Sequence, residues 1–164
     1  MVRERPRERP AGRIKFLVCI DDSEECRTAL RFACMRAQNT GGKVSLVYVI
    51  EPNDFNLSGS VQEIMAEEAR DRARAALEEC AGKVFEEFGV RPEMAVREGE
   101  KANTILTTIE NDESINIVVL GAAPEGAGSN RLISYLSGQV TKRLHIPLTI
   151  VPGDLDDERL RWIT

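Results

Sequence analysis

Five short apolar runs, separated by segments with helical periodicity, constrain this chain more than any other feature. Ile14–Ile20 (IKFLVCI) is almost continuously apolar, the pattern of a strand covered on both faces. Val44–Ile50, a short alternating stretch at Met94 and Val96, Ile117–Leu120 and Leu148–Val151 are the other four. Between the first two runs, Cys26, Ala29, Leu30, Ala33, Cys34 and Ala37 fall on one helical stripe. Apolar residues from Val61 to Phe88 mark a long second helix stopped by Gly89. Ala102, Ile105, Leu106 and Ile109 mark a third helix, and Asn130–Leu144 a fourth. Strict alternation predicts a parallel α/β sheet with helices on both faces and right-handed crossovers. Ligands of such sheets sit beyond the strand C-termini, where the winding direction reverses.

Local signals set the boundaries. Asp22, with Glu25 three positions on, predicts the cap of the first helix, and Gly41-Gly42 its end. Ser60 and Glu63 predict a capping box after the polar loop Glu51–Gly59. Residues 1–12 are Arg, Glu and Pro with almost nothing to bury, so a disordered tail is expected there. The other reading, a basic arm for nucleic acid, is opposed by the interleaved Glu4 and Glu8. An acidic tail, 154–164, is expected after a single domain over 13–153; Trp162 in it packs on its own domain or on a partner, with a free tail as the third choice.

A net charge of −5 does not favour nucleic acid or anionic membrane as partner. No apolar run approaches the roughly 18 residues of a membrane span, and Met1 is followed by charged residues. A cytoplasmic protein is expected. Cys19, Cys26, Cys34 and Cys80 form no C-x-x-C and have no histidine close in sequence. They read as small buried hydrophobes in a reducing compartment, with redox or metal chemistry as the sharper alternative.

The order IDDSE after the first strand, a long helix after the second, REGE near the third, then VVLG and IPLTIV resembles the universal stress protein family. The resemblance runs from about Ile14 to Val151. It implies a Rossmann-like open parallel sheet of five strands in the order 3-2-1-4-5, of the adenine-nucleotide alpha-hydrolase-like kind. It also implies an ATP or AMP site. Asp21 corresponds to the acidic residue placed near the nucleotide, and Val49 to the position whose backbone reads adenine. Phosphates lie in a loop written G-x2-G-x9-G-[ST].

This chain departs from that loop. Gly121 supplies the first glycine, but the second falls on Pro124 and the final pair on Ser134-Tyr135, in the register anchored by Pro147. Proline brings no N–H, and the Tyr135 ring either blocks the phosphate pocket or stacks over a ligand. Gly126, Gly128 and Ser129 offer a rewired anion nest; alternatively they only turn the chain, with Ser129 or Asn130 capping the next helix. Asp21, with Asp22, could hold Mg²⁺ if ATP binds; structurally, Asp22 is a helix cap and Asp21 the polar end of a strand. Tyr48 reads as a partly buried strand residue or a base-stacking platform.

Catalytic groups are scarce. His145, the single histidine, sits on a helix-to-strand turn and reads as a solvated loop residue. No G-x-S-x-G, H-E-x-x-H or G-x-x-x-x-G-K-[ST] occurs, and DDSE replaces the Ser/Gly-rich loop of ATP pyrophosphatases. Lys101, Arg131, Lys142 and Arg143 are the cations within reach of a phosphate. The leading expectation is a stress-response or signalling module with an altered or lost nucleotide site. The alternative is a working ATP/AMP sensor, with ATP hydrolysis or phosphotransfer third. Pro147 and Pro152 flank a fifth strand suited to a sheet edge. The family resemblance implies homodimerisation there, through Leu148, Thr149, Ile150 and Val151.

Overall fold

The computed structural model describes residues 14–52 and 59–164. The tail expected over 1–12, and most of the polar loop after the second strand, lie outside the described residues.

The chain runs β1 (Lys15–Cys19), α1 (Glu24–Thr40), β2 (Lys43–Ile50), α2 (Ser60–Phe88), β3 (Glu93–Glu98), α3 (Lys101–Asn111), β4 (Ile115–Ala122), α4 (Arg131–Ser137), β5 (Leu148–Pro152) and α5 (Asp157–Ile163). All strand pairs are parallel, in the order β3-β2-β1-β4-β5. That is the expected order, with β1 central and β3 and β5 at the edges.

Alternation along β1 divides the core in two. Phe16 and Val18, with Ile20 just beyond the strand, face α1, α2 and the C-terminal Leu160. Leu17 and Cys19 face Ile105, Leu106 and Ile109 of α3 and Leu136 of α4. Every residue of β1 is buried, which explains its near-continuous apolar sequence.

The exception is Lys15, only 7% exposed at the start of that strand. Its ammonium pairs with Glu93 of β3, with Asp112 at 2.9 Å, and with the Ser114 hydroxyl at 2.9 Å. One cation thus fastens β1, β3 and the α3–β4 turn at the end of the sheet away from the switch point.

Three local expectations are corrected, and the acidic tail proves to carry a helix. Ser23, not Asp22, caps α1, its side chain accepting the Cys26 N–H. Gly59 occupies the N-cap of α2 with no side-chain cap, and Ser60 is already helical. The fourth helix stops at Ser137, and Val140–Leu144 forms a separate π-helical turn. Gly138 lies at the break, where helix propensity is low. Residues 157–163 of the expected acidic tail form α5, capped by Asp156. Leu160 buries that helix on α1, Arg31 pairs with Asp157, and Arg36 donates to the Thr164 carbonyl. Arg31 also pairs with Glu87 and lies over the Phe88 ring, joining α1, α2 and α5.

Candidate functional site at the β1/β4 switch point

The crossovers leave β1 and β4 in opposite senses, so their C-terminal ends frame the crevice where such sheets take ligands. Asp21 and Asp22 stand exposed at the end of β1. Asp21 accepts the backbone N–H of Ser23 at 2.8 Å and also its hydroxyl. The carboxylate expected near a nucleotide therefore braces the helix cap. Glu24 and Glu25 follow in the first turn of α1, so acidic side chains already face the positive end of the helix dipole. Among the described residues, no group of three or more His, Cys, Asp or Glu is arranged to hold a metal ion.

Val49 is buried on the α3 face near the end of β2. The Val47 carbonyl accepts the Ile20 N–H towards β1, and the Ile50 carbonyl accepts the Gly99 N–H towards β3. By alternation, the Val49 peptide groups point to the β1 side, above the last β1–β2 pair at Cys19–Val47. Tyr48 is half-buried against the α1/α2 face. Burial, with Asp22 and Asp21 close by, pushes its phenol pKa up, although Lys101 and Arg72 pull the other way.

Gly121 is a strand residue, paired with Val151, rather than part of a loop. A Cβ built there would lie 2.0 Å from the Glu25 carbonyl oxygen. One built on Gly153 would lie 2.6 Å from the Glu25 Cβ and 2.8 Å from the Ala122 carbonyl oxygen. These two glycines form a saddle for the first turn of α1. Thr28 adds a hydrogen bond of 2.8 Å to the Gly153 carbonyl. Packing alone accounts for glycine at 121.

The loop from Ala123 to Asn130 is closed on itself. The Asn130 side-chain oxygen accepts the Ala123 N–H at 2.8 Å, and its amide donates to the Ala123 carbonyl at 3.2 Å. Asn130 thus occupies the N-cap of α4 without capping it. Ser129 accepts the Arg131 N–H at a long 3.4 Å. The Ala127 N–H returns to the Pro124 carbonyl, with Gly126 at the third position of that turn and φ of +78°. Around Gly126 the space is open. Gly128, at φ of +143°, lies near Ala123 and the Glu25 carboxylate, one oxygen of which is 3.9 Å from where its Cβ would be.

The other expected residues are dispersed. Ser134 and Tyr135 are exposed on α4, the latter with 48% of its surface open. Arg143 is engaged by Glu110 and Asn103 at 2.8 Å each, while Lys142 and Arg131 are exposed. His145 is exposed, takes φ of +52° and closes the π-helical turn. Sequence reasoning missed the structural use of Asn130 and of the Glu25 backbone. The Gly153 position after β5 was the one available signal.

β5 is the sheet edge expected for a pairing surface. Ile150 is 43% exposed, Leu148 and Thr149 are partly covered, and Val151 is buried in the core. Trp162 is 79% exposed on α5, so its own domain does not cover it. No described helix is long and apolar enough to cross a membrane.

A sequence model of the universal stress protein family matches residues 13–152. No curated protein matches the chain. Among solved structures it is similar to universal stress protein UspA from Lactobacillus plantarum. There the identity is 16% and the TM-score 0.70, covering 84% of this chain and 97% of that one. It is also similar to a universal stress protein in complex with cAMP, at 15% identity and a TM-score of 0.61, over 88% and 100% of the two chains. A family protein from Arabidopsis thaliana with AMP bound matches at 18% identity and a TM-score of 0.58, over 85% and 91%. The matched residues run from just before β1 to the last residue of β5, and the chain belongs to the universal stress protein family.

Proposed function

We propose that this protein is a cytoplasmic, homodimeric stress-response module whose adenine-nucleotide site is altered so that it does not hold a triphosphate. The observation carrying this reading is the self-closed loop after β4. A phosphate cradle needs backbone N–H groups directed at the ligand. Here the Ala123 and Ala127 N–H groups are taken by Asn130 and Pro124, and Pro124 has none. The first turn of α1, the other natural donor, carries its own acids. Signal transfer then rests on contacts with a protein partner and no chemical step is required of the chain.

Titration of ATP with Mg²⁺ into the full chain by calorimetry tests this. No saturable heat is expected; a dissociation constant tighter than about 100 μM would sink the reading. A second reading, an AMP or ATP sensor built on Gly126–Ser129, draws support from the free Val49 edge and the open space at Gly126. Structural neighbours with AMP or cAMP bound agree with it. Under that reading binding is measurable and Gly126→Val weakens it.

A further inference from the structure

We infer that Glu25 is the residue that keeps phosphate-bearing ligands out of the switch point, acting as a resident anion at the glycine loop. The inference rests on the altered-site reading above and names what enforces it. Three observations converge on this side chain.

Its origin is fixed. The Glu25 backbone sits in the saddle of Gly121 and Gly153, so close that neither position admits a Cβ. The Glu25 Cβ itself lies 3.0 Å and 2.6 Å from where those atoms would be. The side chain therefore leaves the helix from a point that repacking cannot shift.

Its direction is towards the loop. One carboxylate oxygen approaches Gly128, at 3.9 Å from the Cβ position. Of the loop positions whose N–H groups Asn130 and Pro124 have not taken, Gly128 is the one beside that carboxylate, while nothing stands within 4 Å of the Cβ position of Gly126. A phosphate reaching for the Gly128 N–H would meet a carboxylate of the same sign, and like charges at that range oppose binding.

Beyond the α1 dipole, no described cation pairs with it. The described ion pairs of the chain use Lys15, Arg31, Arg70, Arg74, Lys83 and Arg143, and none involves Glu25. Asp21, Asp22 and Glu24 add to the same field but stand exposed. Glu25 is the partly covered member, and the one placed against the loop.

The test is calorimetric titration of ATP with Mg²⁺, and of AMP, into the full-length wild type, Glu25→Gln and Glu24→Gln. Glu25→Gln keeps the side-chain stem and replaces the anion with an amide that can donate to phosphate. The expected gain is at least tenfold in affinity for Glu25→Gln, equivalent to about 1.4 kcal/mol, and less than about threefold for Glu24→Gln. Equal gains in the two variants overturn the inference, because a diffuse field rather than position would then be responsible. No gain in a folded Glu25→Gln overturns it as well. If wild type already binds tighter than about 100 μM, the proposed function falls on its own. The role of Glu25 is then judged by the ratio between wild type and variant, less than about threefold overturning it. Should Glu25→Gln fail to fold, Glu25→Ala retains the Cβ seated in the saddle and is read by the same thresholds.

Discussion

The carbonyl oxygen of Glu25 lies 2.0 Å from the point where a Cβ on Gly121 would stand. No side chain fits at 121 unless helix α1 or strand β4 moves. The contact is backbone against backbone, with no flexible group to give way. Gly121→Ala is therefore expected to destabilise the fold by about 3 kcal/mol, at the upper end of ordinary overpacking. Gly126 is the informative contrast, because a Cβ there meets nothing and only the left-handed backbone, φ of +78°, resists it. Gly126→Ala is expected to lose about 1 kcal/mol. Urea midpoints of the two variants check the order, and a larger loss at 126 than at 121 would show the saddle to be unimportant.

Lys15 supplies a second prediction, with a definite pH dependence. Burial alone would lower its pKa, but its bonds to Glu93 and Asp112 more than reverse that and hold it above the ordinary lysine value. Burial alone would raise Asp112, yet the Ser114 hydroxyl and Lys15 outweigh it, so its carboxyl sits below the usual aspartate value. Both partner carboxylates keep water access and rehydrate when the cation is removed. Lys15→Met is thus expected to lose about 2 kcal/mol at neutral pH. A depressed carboxylate stabilises the fold above its unfolded pKa and ceases to as pH falls through the folded value. The gap between wild type and Lys15→Met should therefore shrink below about pH 4. A raised lysine stabilises below its unfolded pKa, so the gap should persist to mildly alkaline pH. Denaturation midpoints at acid, neutral and alkaline pH measure it; a gap that widened in acid would contradict the assignment.

The sheet was legible because each strand had to bury both faces or one, and the apolar runs record that demand directly. The site was less legible because its constraints are tertiary. Gly121 reads as a phosphate-loop glycine in sequence, yet the group that forbids a Cβ there belongs to Glu25, far earlier in the chain. Asn130 has the chemistry of a helix cap and the position of one, but its amide stitches the loop at Ala123 instead. Asp22 and Ser23 are both good caps, and composition cannot choose between neighbours. The choice fell to Ser23 because Asp21 holds its N–H and hydroxyl from behind.

Thiol chemistry offers a third check. Burial pushes the Cys19 thiol up to about 11, and Cys26 and Cys34 up to about 12. At pH 8 a thiol of pKa near 12 is ionised on the order of one part in ten thousand, and the thiolate is the reactive form. Cys80 is also raised, chiefly by burial, but is only partly covered on α2. Labelling the native protein with a thiol reagent should modify Cys80 first, and the other three only on unfolding. Rapid modification of Cys26 in the native state would mean that the turn it closes, accepting the Asp21 N–H and donating to the Cys19 carbonyl, opens readily.

Helix α5 lies beyond the family match, yet Leu160 is only 1% exposed beneath it. Leu160→Ala is expected to destabilise the whole domain by about 2–4 kcal/mol, as a core truncation does. Trp162 on the outer face should contribute less than about 0.5 kcal/mol to folding of the single chain. As the chain has one tryptophan, its fluorescence reports this directly. Emission typical of hydrated indole, readily quenched by iodide, is expected wherever the chain stands alone.

The proposed homodimer rests on the edge strand β5. Among the described residues β5 pairs only with β4, and Ile150 projects from it with 43% of its surface open. An unpaired edge carrying an apolar side chain favours pairing with another strand, and a two-fold contact closes after one partner. Ile150→Arg points a charge at that contact from each protomer, so the repulsion counts twice at the axis. Sedimentation at micromolar concentration should give a dimer for wild type and a monomer for Ile150→Arg, with unchanged circular dichroism. Leu160→Ala, if still folded, should remain dimeric, because its lesion lies beneath α5 and away from the strand edge. A monomeric wild type rules out the edge as an interface between copies, and a dimeric Ile150→Arg places the interface elsewhere.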